Sequence, residues 1–194
     1  EGRSSFSSGC LIEKLNAGEK QTVIAYGTSL TAGGQWVKDF QSWLDARYPG
    51  QAVAINSGIS GKASNTALAN LEEKVIAHKP DVVFIEFAIN DASSFEPGDF
   101  DHGISPEKSR ANLNLLIDKI LEANPAAGII LQTMNSAWDA PNGNRSASRR
   151  PHLPAYYEGY RWVAATRSLP LIDHNANWVE LQKNDRSKFE SYIP

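Results

Sequence analysis

Short apolar runs alternate along this chain with segments whose apolar residues recur at helical spacing. The runs predict five strands, at residues 22–26, 52–56, 81–87, 128–133 and 169–173. The third run is almost continuously apolar, which is typical of a strand that is buried on both faces.

The segments between these runs predict helices. One helix contains Trp36, Phe40 and Leu44 and stops at Tyr48-Pro49-Gly50, and a second ends before Pro80. A third opens at Ser105-Pro106-Glu107, where a capping hydroxyl precedes a proline of the first turn, and a fourth covers about 153–168.

Strict alternation of strands and helices indicates an α/β fold with parallel pairing and right-handed crossovers. We therefore expect residues 1–194 to form one three-layer α/β/α domain whose five-stranded sheet has the flavodoxin-like order 2-1-3-4-5. Ligands of such sheets bind beyond the carboxyl ends of the strands, where the strand order reverses between strands 1 and 3.

Composition narrows the function classes. The net charge of −3 gives no reason to expect a nucleic-acid partner, and no apolar run approaches the roughly 18 residues of a membrane span.

Cys10 is the one cysteine, so no intrachain disulfide forms. Ser7-Ser8-Gly9-Cys10 is faintly similar to a lipoprotein cleavage site, although no apolar segment precedes it. A removed export signal would leave no trace, and we slightly favour a secreted or periplasmic location.

Three candidate groups follow the first three strands. Ser29 lies in Y-G-T-S-L-T-A-G-G after strand 1, Gly58 follows strand 2, and Asn90 follows strand 3. A serine hydroxyl becomes nucleophilic when a base accepts its proton and when hydrogen-bond donors stabilise the oxyanion. Because neighbouring strands lie ~4.8 Å apart, a nucleophile between two flanking donors is a plausible arrangement.

The segments that carry these groups resemble a known family. G-T-S-L-T at 27–31, N-S-G-I-S-G at 56–61 and A-I-N-D at 88–91 are similar to the first three conserved blocks of the SGNH, or GDSL-type, hydrolases. The resemblance implies that Ser29 is the nucleophile of a carboxylic ester hydrolase. It also implies an oxyanion hole formed by the N–H groups of Ser29 and Gly58 and by the Asn90 side chain. No cofactor or metal is implied.

Two departures from the family pattern are mild. Thr28 stands where the family usually has aspartate, and Ala88 where it usually has glycine. They place the chain in a divergent branch that is similar to carbohydrate-active acetylesterases. We therefore expect a substrate with a small acyl group, acetyl above all, esterified to a carbohydrate or a similar small molecule.

The catalytic base is the serious departure. In the family, a histidine lies in an Asp-x-x-His motif near the C-terminus, after strand 5, and no such motif follows strand 5 in this sequence, which ends at Pro194. We expect the natural protein to continue past Pro194 with that motif, and the 194-residue chain to be a truncated, nearly inactive piece. The four internal histidines are weaker candidates: His78 on the wrong sheet edge, His174 beside Asp173 but roughly 14 Å from strand 1, and His102 and His152 in loops.

Other interpretations of the same residues stay open. Ser29 is explained equally by a helix cap, Gly58 by an ordinary turn, and Asn90-Asp91 by an Asx turn, in which Asp91 is a structural acceptor. The chain as a whole fits two alternatives to an esterase, namely an inactive SGNH-fold binding protein and a flavodoxin-like module that binds phosphate or flavin.

The resemblance does not explain two further features of the sequence. Glu86 lies inside the third strand and needs a buried partner that the sequence does not identify. Residues 134–152 form a long loop on the candidate edge, and the sequence is equally consistent with a loop that shapes the substrate pocket and with a solvated, mobile loop.

Overall fold

A computed structural model describes residues 8–93, 104–140, 143 and 145–192. His102 and Phe95 lie outside these residues. The strands are β1 (Gln21–Gly27), β2 (Ala52–Asn56), β3 (Val82–Glu86), β4 (Gly128–Thr133) and β5 (Leu171–Asp173). The helices are α1 (Ser8–Asn16), α2 (Ser29–Ala32), α3 (Trp36–Arg47), α4 (Ser64–Lys74), α5 (Ala88–Asp91), α6 (Pro106–Ala123), α7 (Leu153–Arg167), α8 (His174–Asn184) and α9 (Arg186–Ser191).

The five strands form one parallel sheet in the order β2-β1-β3-β4-β5, so the predicted fold class and strand order are confirmed. The register aligns Ala25 with Asn56 of β2, and Gly27 with Glu86 of β3. Because the strands are parallel, the segments that follow β1, β2 and β3 emerge at the same sheet edge.

Helices cover both faces of the sheet. On one face, α4, α6 and α7 bury residues such as Leu71, Leu116 and Tyr160 against β1, β3 and β4. On the other face, Leu11 and Leu15 of α1 and Leu44 of α3 pack on the opposite side chains of the same strands. This two-sided burial explains why β3 is buried along its whole length and apolar up to its last residue, Glu86.

The local signals for helix ends are also as expected. The Ser105 hydroxyl accepts the Lys108 N–H at 3.2 Å and caps α6, whose first residue is Pro106. The helices α1, α8 and α9 and the single turn α5 were not predicted from the sequence. No helix among the described residues is long and apolar enough to cross a bilayer.

Candidate active site

The segment after β1 turns at once into the single helical turn α2. Thr28 caps this turn, because its hydroxyl accepts the Leu30 N–H at 3.3 Å. Ser29 is therefore the first residue of the helix and not its cap, and the capping interpretation of Ser29 is wrong. The side chain of Thr28 is fully buried, whereas Ser29 is exposed to solvent.

Gly58 lies against this turn because the segment after β2 continues alongside β1 in the same direction. The Ile59 N–H donates to the Gly27 carbonyl at 2.7 Å, and a Cβ built on Gly58 would lie only 2.3 Å from the backbone nitrogen of Ala32. The φ of Gly58 lies outside the left-handed region, so this position requires glycine for close approach and not for turn geometry.

The N–H of Gly58 already has an acceptor in this structure. It donates to the side-chain oxygen of Asn56 at 3.0 Å, in an Asx turn, while Asn56 Nδ2 donates to the Thr31 carbonyl at 2.8 Å. Asn56 therefore joins the loop after β2 to the turn that carries Ser29.

Asn90 lies in the single turn α5 that follows β3. Its side chain is nine-tenths buried, and its Nδ2 donates to the Lys62 carbonyl at 2.9 Å. Lys62 belongs to the loop that contains Gly58, so this one loop contacts both the Ser29 turn and Asn90. The structure thus brings the three predicted site segments together at one sheet edge.

Asp91, beside Asn90, accepts two hydrogen bonds from neighbouring helices. Its carboxylate oxygens bond the Ser64 N–H at 2.7 Å and the Ser109 hydroxyl at 2.5 Å. Burial raises the pKa of this carboxyl above its usual value. Asp91 joins α4, α5 and α6, which is the structural role expected from the sequence.

Glu86 has its partners in the Ser29 turn. Its Oε1 accepts the Thr28 N–H at 2.6 Å and the Thr31 hydroxyl at 2.8 Å, and the Thr28 hydroxyl lies 3.0 and 3.1 Å from its two oxygens. Burial raises the pKa of Glu86 from 4.5 to about 7, although these hydrogen bonds act in the opposite direction. One signal for this contact was present in the sequence, namely a carboxylate at a strand end and a threonine-rich turn after the neighbouring strand.

The loop after β4 packs onto α5. Arg150 Nε donates to the Ile89 carbonyl at 2.6 Å, and Asp139 accepts the N–H groups of Ala147 and Ser148 at 2.8 and 3.0 Å. This loop therefore supports the backbone that presents Asn90, a contact that the sequence did not reveal.

A cavity of about 730 Å³ opens on the α3 face of β3, β4 and β5. Leu30, the residue after Ser29, lies at one end, and His174 and Tyr192 also line the cavity. Met134 and Asn135 form part of its wall, which favours the interpretation that the 134–152 loop shapes a pocket.

The ends of β4 and β5 form a separate polar cluster. Asp173 accepts the Thr133 hydroxyl at 2.7 Å and two bonds from Arg161 at 2.7 and 3.0 Å, which lower its pKa to about 2. Gln132 lies nearby, and its buried side-chain oxygen has no partner among the described residues.

The described histidines lie on elements other than the Ser29 turn. His78 is exposed in a 3₁₀ turn before β3, at the opposite sheet edge, and His152 is exposed immediately before α7. His174 begins α8, half-buried in the cavity wall, and desolvation lowers its pKa. Within the described ranges, no three His, Cys, Asp or Glu side chains are grouped as metal ligands.

Comparison with known proteins agrees with this architecture. The chain is 30% identical over 182 residues to the uncharacterized lipoprotein YqeF of Bacillus subtilis, an alignment covering 82% of this chain and 73% of that protein. It is 35% identical over 119 residues to an arylesterase of Vibrio mimicus, covering 59% of this chain and 54% of the relative.

Solved structures give the same result. An acetylxylan esterase from Geobacillus stearothermophilus superposes with a TM-score of 0.69 at 25% identity, over 86% of this chain and 81% of that one. A lipase/acylhydrolase from Enterococcus faecalis superposes with a TM-score of 0.65 at 26% identity, over 81% and 77% of the two chains.

The model of the GDSL-like lipase/acylhydrolase family matches residues 25–192, which include all three segments that carry Ser29, Gly58 and Asn90. This match confirms the resemblance found in the sequence and sets aside the flavodoxin-like interpretation. The chain belongs to the GDSL-like lipase/acylhydrolase family and is, by that membership, a carboxylic ester hydrolase.

Proposed function

We propose that this protein is a serine esterase that removes small acyl groups, acetyl above all, from carbohydrate esters, with Ser29 as nucleophile. One observation carries the proposal. Ser29 is exposed at the start of α2, and the loop that holds Gly58 contacts both the Ser29 turn and the Asn90 side chain.

The proposed reaction has two steps. The Ser29 hydroxyl oxygen attacks the ester carbonyl carbon while a base takes its proton, and the carbonyl oxygen becomes an oxyanion. The N–H groups of Ser29 and Gly58 and the amide of Asn90 stabilise this oxyanion. Collapse releases the alcohol, which takes the proton, and leaves an acyl-enzyme. Water, deprotonated by the same base, then attacks the acyl carbon, and the acid leaves as Ser29 regains its proton.

The donors differ in how readily they reach a substrate. The N–H of Ser29 belongs to the first residue of α2, where backbone N–H groups have no acceptor within the helix. Asn90 Nδ2 carries two hydrogens and uses one for the Lys62 carbonyl. Gly58 has a single N–H, and this group already donates to the Asn56 side-chain oxygen. To bind the oxyanion, it must break that hydrogen bond or donate to both acceptors at once.

We propose that the base and its acidic partner lie after Pro194, as an Asp-x-x-His motif. Two placements support this proposal. His78 and His152 are exposed on elements other than the Ser29 turn, and His174 begins α8 in the cavity wall. Tyr192 and Leu30 line the same cavity, so a chain that continues past Tyr192 starts at a cavity that the residue after Ser29 also lines.

The substrate class and the location rest on relatives. A structurally similar protein is an acetylxylan esterase, which supports an acetylated carbohydrate as the substrate. A relative described as a lipoprotein supports a location outside the cytoplasm.

The deciding experiment compares the full-length gene product, its Ser29→Ala variant and the 194-residue chain. The substrates are p-nitrophenyl acetate and an acetylated xylo-oligosaccharide. We expect Ser29→Ala to lower kcat by at least about 10³-fold while the fold is retained, and the 194-residue chain to keep only a residual rate. An unchanged rate in Ser29→Ala would remove Ser29 from the mechanism. Full activity of the 194-residue chain would show that the base lies within it.

Matched substrates sharpen the assignment of the acyl group. We expect p-nitrophenyl butyrate to be hydrolysed more slowly than the acetate by the full-length protein. Faster hydrolysis of the butyrate would contradict the preference for acetyl, without affecting the role of Ser29.

A further inference from the structure

The buried carboxyl of Glu86 lies directly under the segment that carries the nucleophile. Glu86 ends β3, is 1% exposed, and pairs in the sheet with Gly27, two residues before Ser29. An ionisable group in such a place is unfavourable unless it is hydrogen-bonded, so its partners indicate why it is there.

These partners come from both sides of Ser29. The backbone N–H of Thr28 donates to Oε1 at 2.6 Å, and the hydroxyl of Thr31 donates to the same oxygen at 2.8 Å. Both threonines are fully buried, whereas Ser29 between them is exposed. One carboxyl group therefore holds the residue before Ser29 and the residue two positions after it.

The backbone is shaped to admit this carboxyl. A Cβ on Gly27 would lie 2.2 Å from Glu86 Oε1 and 2.5 Å from the Thr31 hydroxyl oxygen. The absence of a side chain at Gly27 thus leaves the space that the Glu86–Thr31 hydrogen bond occupies. On the other side, Asn56 holds the Thr31 carbonyl from β2, so the turn is fixed from both neighbouring strands.

We propose that Glu86 is a positioning residue for catalysis, which fixes the 27–31 backbone so that the hydroxyl and N–H of Ser29 keep a reactive orientation. The inference rests on the proposed role of Ser29. Because Ser29 is exposed, its backbone sets its position, and a displacement of about 1 Å at a reacting group lowers a rate by about 10²-fold.

The two protonation states of Glu86 keep the same neighbours, but the bond between Oε2 and the Thr28 hydroxyl changes direction. In the ionised form the Thr28 hydroxyl donates to the carboxylate, and in the acid form Oε2–H donates to the Thr28 hydroxyl oxygen. Oε1 accepts from the Thr28 N–H and the Thr31 hydroxyl in both forms. A glutamine places its oxygen and its amide nitrogen in these same two positions. The charged or polar groups that face Glu86 from other elements are Asp91 of α5 and Tyr157 and Tyr160 of α7.

Three variants of the full-length gene product test the proposal by their kcat and KM for p-nitrophenyl acetate. Glu86→Leu removes both acceptors, and we expect kcat to fall about 10²-fold with little change in KM. Thr31→Val removes one donor, and we expect a fall of about 10-fold. Glu86→Gln restores the contacts, and we expect kcat within about threefold of the natural protein.

Thr133→Val is the matched control. Thr133 is also fully buried at a strand end and donates its hydroxyl to a carboxylate at 2.7 Å, but that carboxylate is Asp173 of β5, and the same hydroxyl accepts the Asn175 N–H at 3.0 Å. We expect Thr133→Val to lower the midpoint of thermal unfolding at least as much as Thr31→Val, whereas only Thr31→Val lowers kcat.

The outcomes separate this inference from the proposed function. If Ser29→Ala keeps its rate, the proposed function fails. If Ser29→Ala is inactive but a folded Glu86→Leu keeps its kcat, the inference alone fails. Equal losses of kcat in Thr31→Val and Thr133→Val also overturn it, and this pair decides the question if Glu86→Leu does not fold.

Discussion

The two halves of the sheet edge differ in how their polar side chains are used. At the ends of β2, β1 and β3, Asn56, Glu86 and Asn90 each bond the backbone of a neighbouring loop or turn. Beside the ends of β4 and β5, a cavity of about 730 Å³ is lined mainly by apolar and aromatic side chains, and the buried oxygen of Gln132, which also lines it, has no described partner. The first half is built to hold groups in place, and the second leaves space beside them.

This difference agrees with the roles that we propose for the two halves, in which the first holds the nucleophile and the oxyanion donors and the second leaves room for the base. A nucleophile and oxyanion donors work only when their positions are fixed before the substrate arrives. A base approaches the nucleophile from one side and therefore needs room there. Changes in the first half should lower the catalytic rate, and changes in the second should alter stability with little effect on the rate.

Gly58→Ala is the strongest test of the fixed half. The new Cβ would lie 2.3 Å from the Ala32 nitrogen, so either α2 or the loop must move and the Gly58 N–H leaves its position. We expect kcat/KM of the full-length protein to fall about 10²–10³-fold, as for the loss of an oxyanion donor.

Gly159→Ala is its control, because that Cβ would meet its nearest neighbour at an ordinary 3.8 Å. If Gly58→Ala is as active as Gly159→Ala, the close contact with α2 has no catalytic meaning and the contrast between the halves is lost.

The pH dependence of stability tests the buried carboxyl. Because Glu86 titrates near pH 7 when folded and near 4.5 when unfolded, the folded state binds the extra proton between these values. The free energy of unfolding should therefore fall as the pH rises through this window. We expect the natural protein to lose about 3 kcal/mol more than Glu86→Gln between pH 4 and pH 8, measured by urea unfolding.

Asp91 also has a raised pKa and is present in both proteins, so the effect of its own burial cancels, and only its repulsion with ionised Glu86 remains in that difference. Parallel pH curves for the two proteins would mean that Glu86 is ionised at little cost, and the Ser29 turn would then hold a stable negative charge.

Gln132→Leu tests the open half. The substitution removes a buried oxygen without a described partner, so we expect the free energy of unfolding to rise by about 1 kcal/mol, with kcat unchanged. Gln41→Leu is the control, because the side-chain oxygen of Gln41 does have a partner and accepts the Ala54 N–H at 2.6 Å. We expect the loss of this hydrogen bond to lower the free energy of unfolding. A destabilised Gln132→Leu would show that this oxygen has a partner in solution.

His174→Gln should have the smallest effect. His174 begins α8 on the β4–β5 side, and we expect kcat to change by less than about threefold at pH 7. A loss of 10³-fold or more, with the fold intact, would make His174 the base and would move catalysis into the open half.

The sheet was predictable because its signals are local. The apolar runs identify the strands, and the parallel order follows from right-handed crossovers. Helices α1, α8 and α9 were missed; α8 buries no residue fully, so it has no wide apolar stripe.

The site segments were predictable, but their contacts were not. Thr28 looked like a mild departure from the family pattern, yet it caps α2 and binds Glu86, which is 58 positions away in sequence. The bond between Asn56 and the Gly58 N–H depends on one side-chain rotamer. Such pairings are set by packing across strands, which neither periodicity nor motif spacing encodes.

The hydrogen bond between Asn56 and Gly58 affects the intact ester and the tetrahedral intermediate differently. In the resting protein, the Gly58 N–H is bound to a neutral amide oxygen. A neutral ester carbonyl is no better an acceptor, so exchanging one for the other gains little free energy. An oxyanion is a much stronger acceptor. Under the proposed mechanism, this internal competitor weakens binding of the intact ester more than binding of the tetrahedral intermediate, so tetrahedral, anionic inhibitors should bind far more tightly than substrate-like ketones.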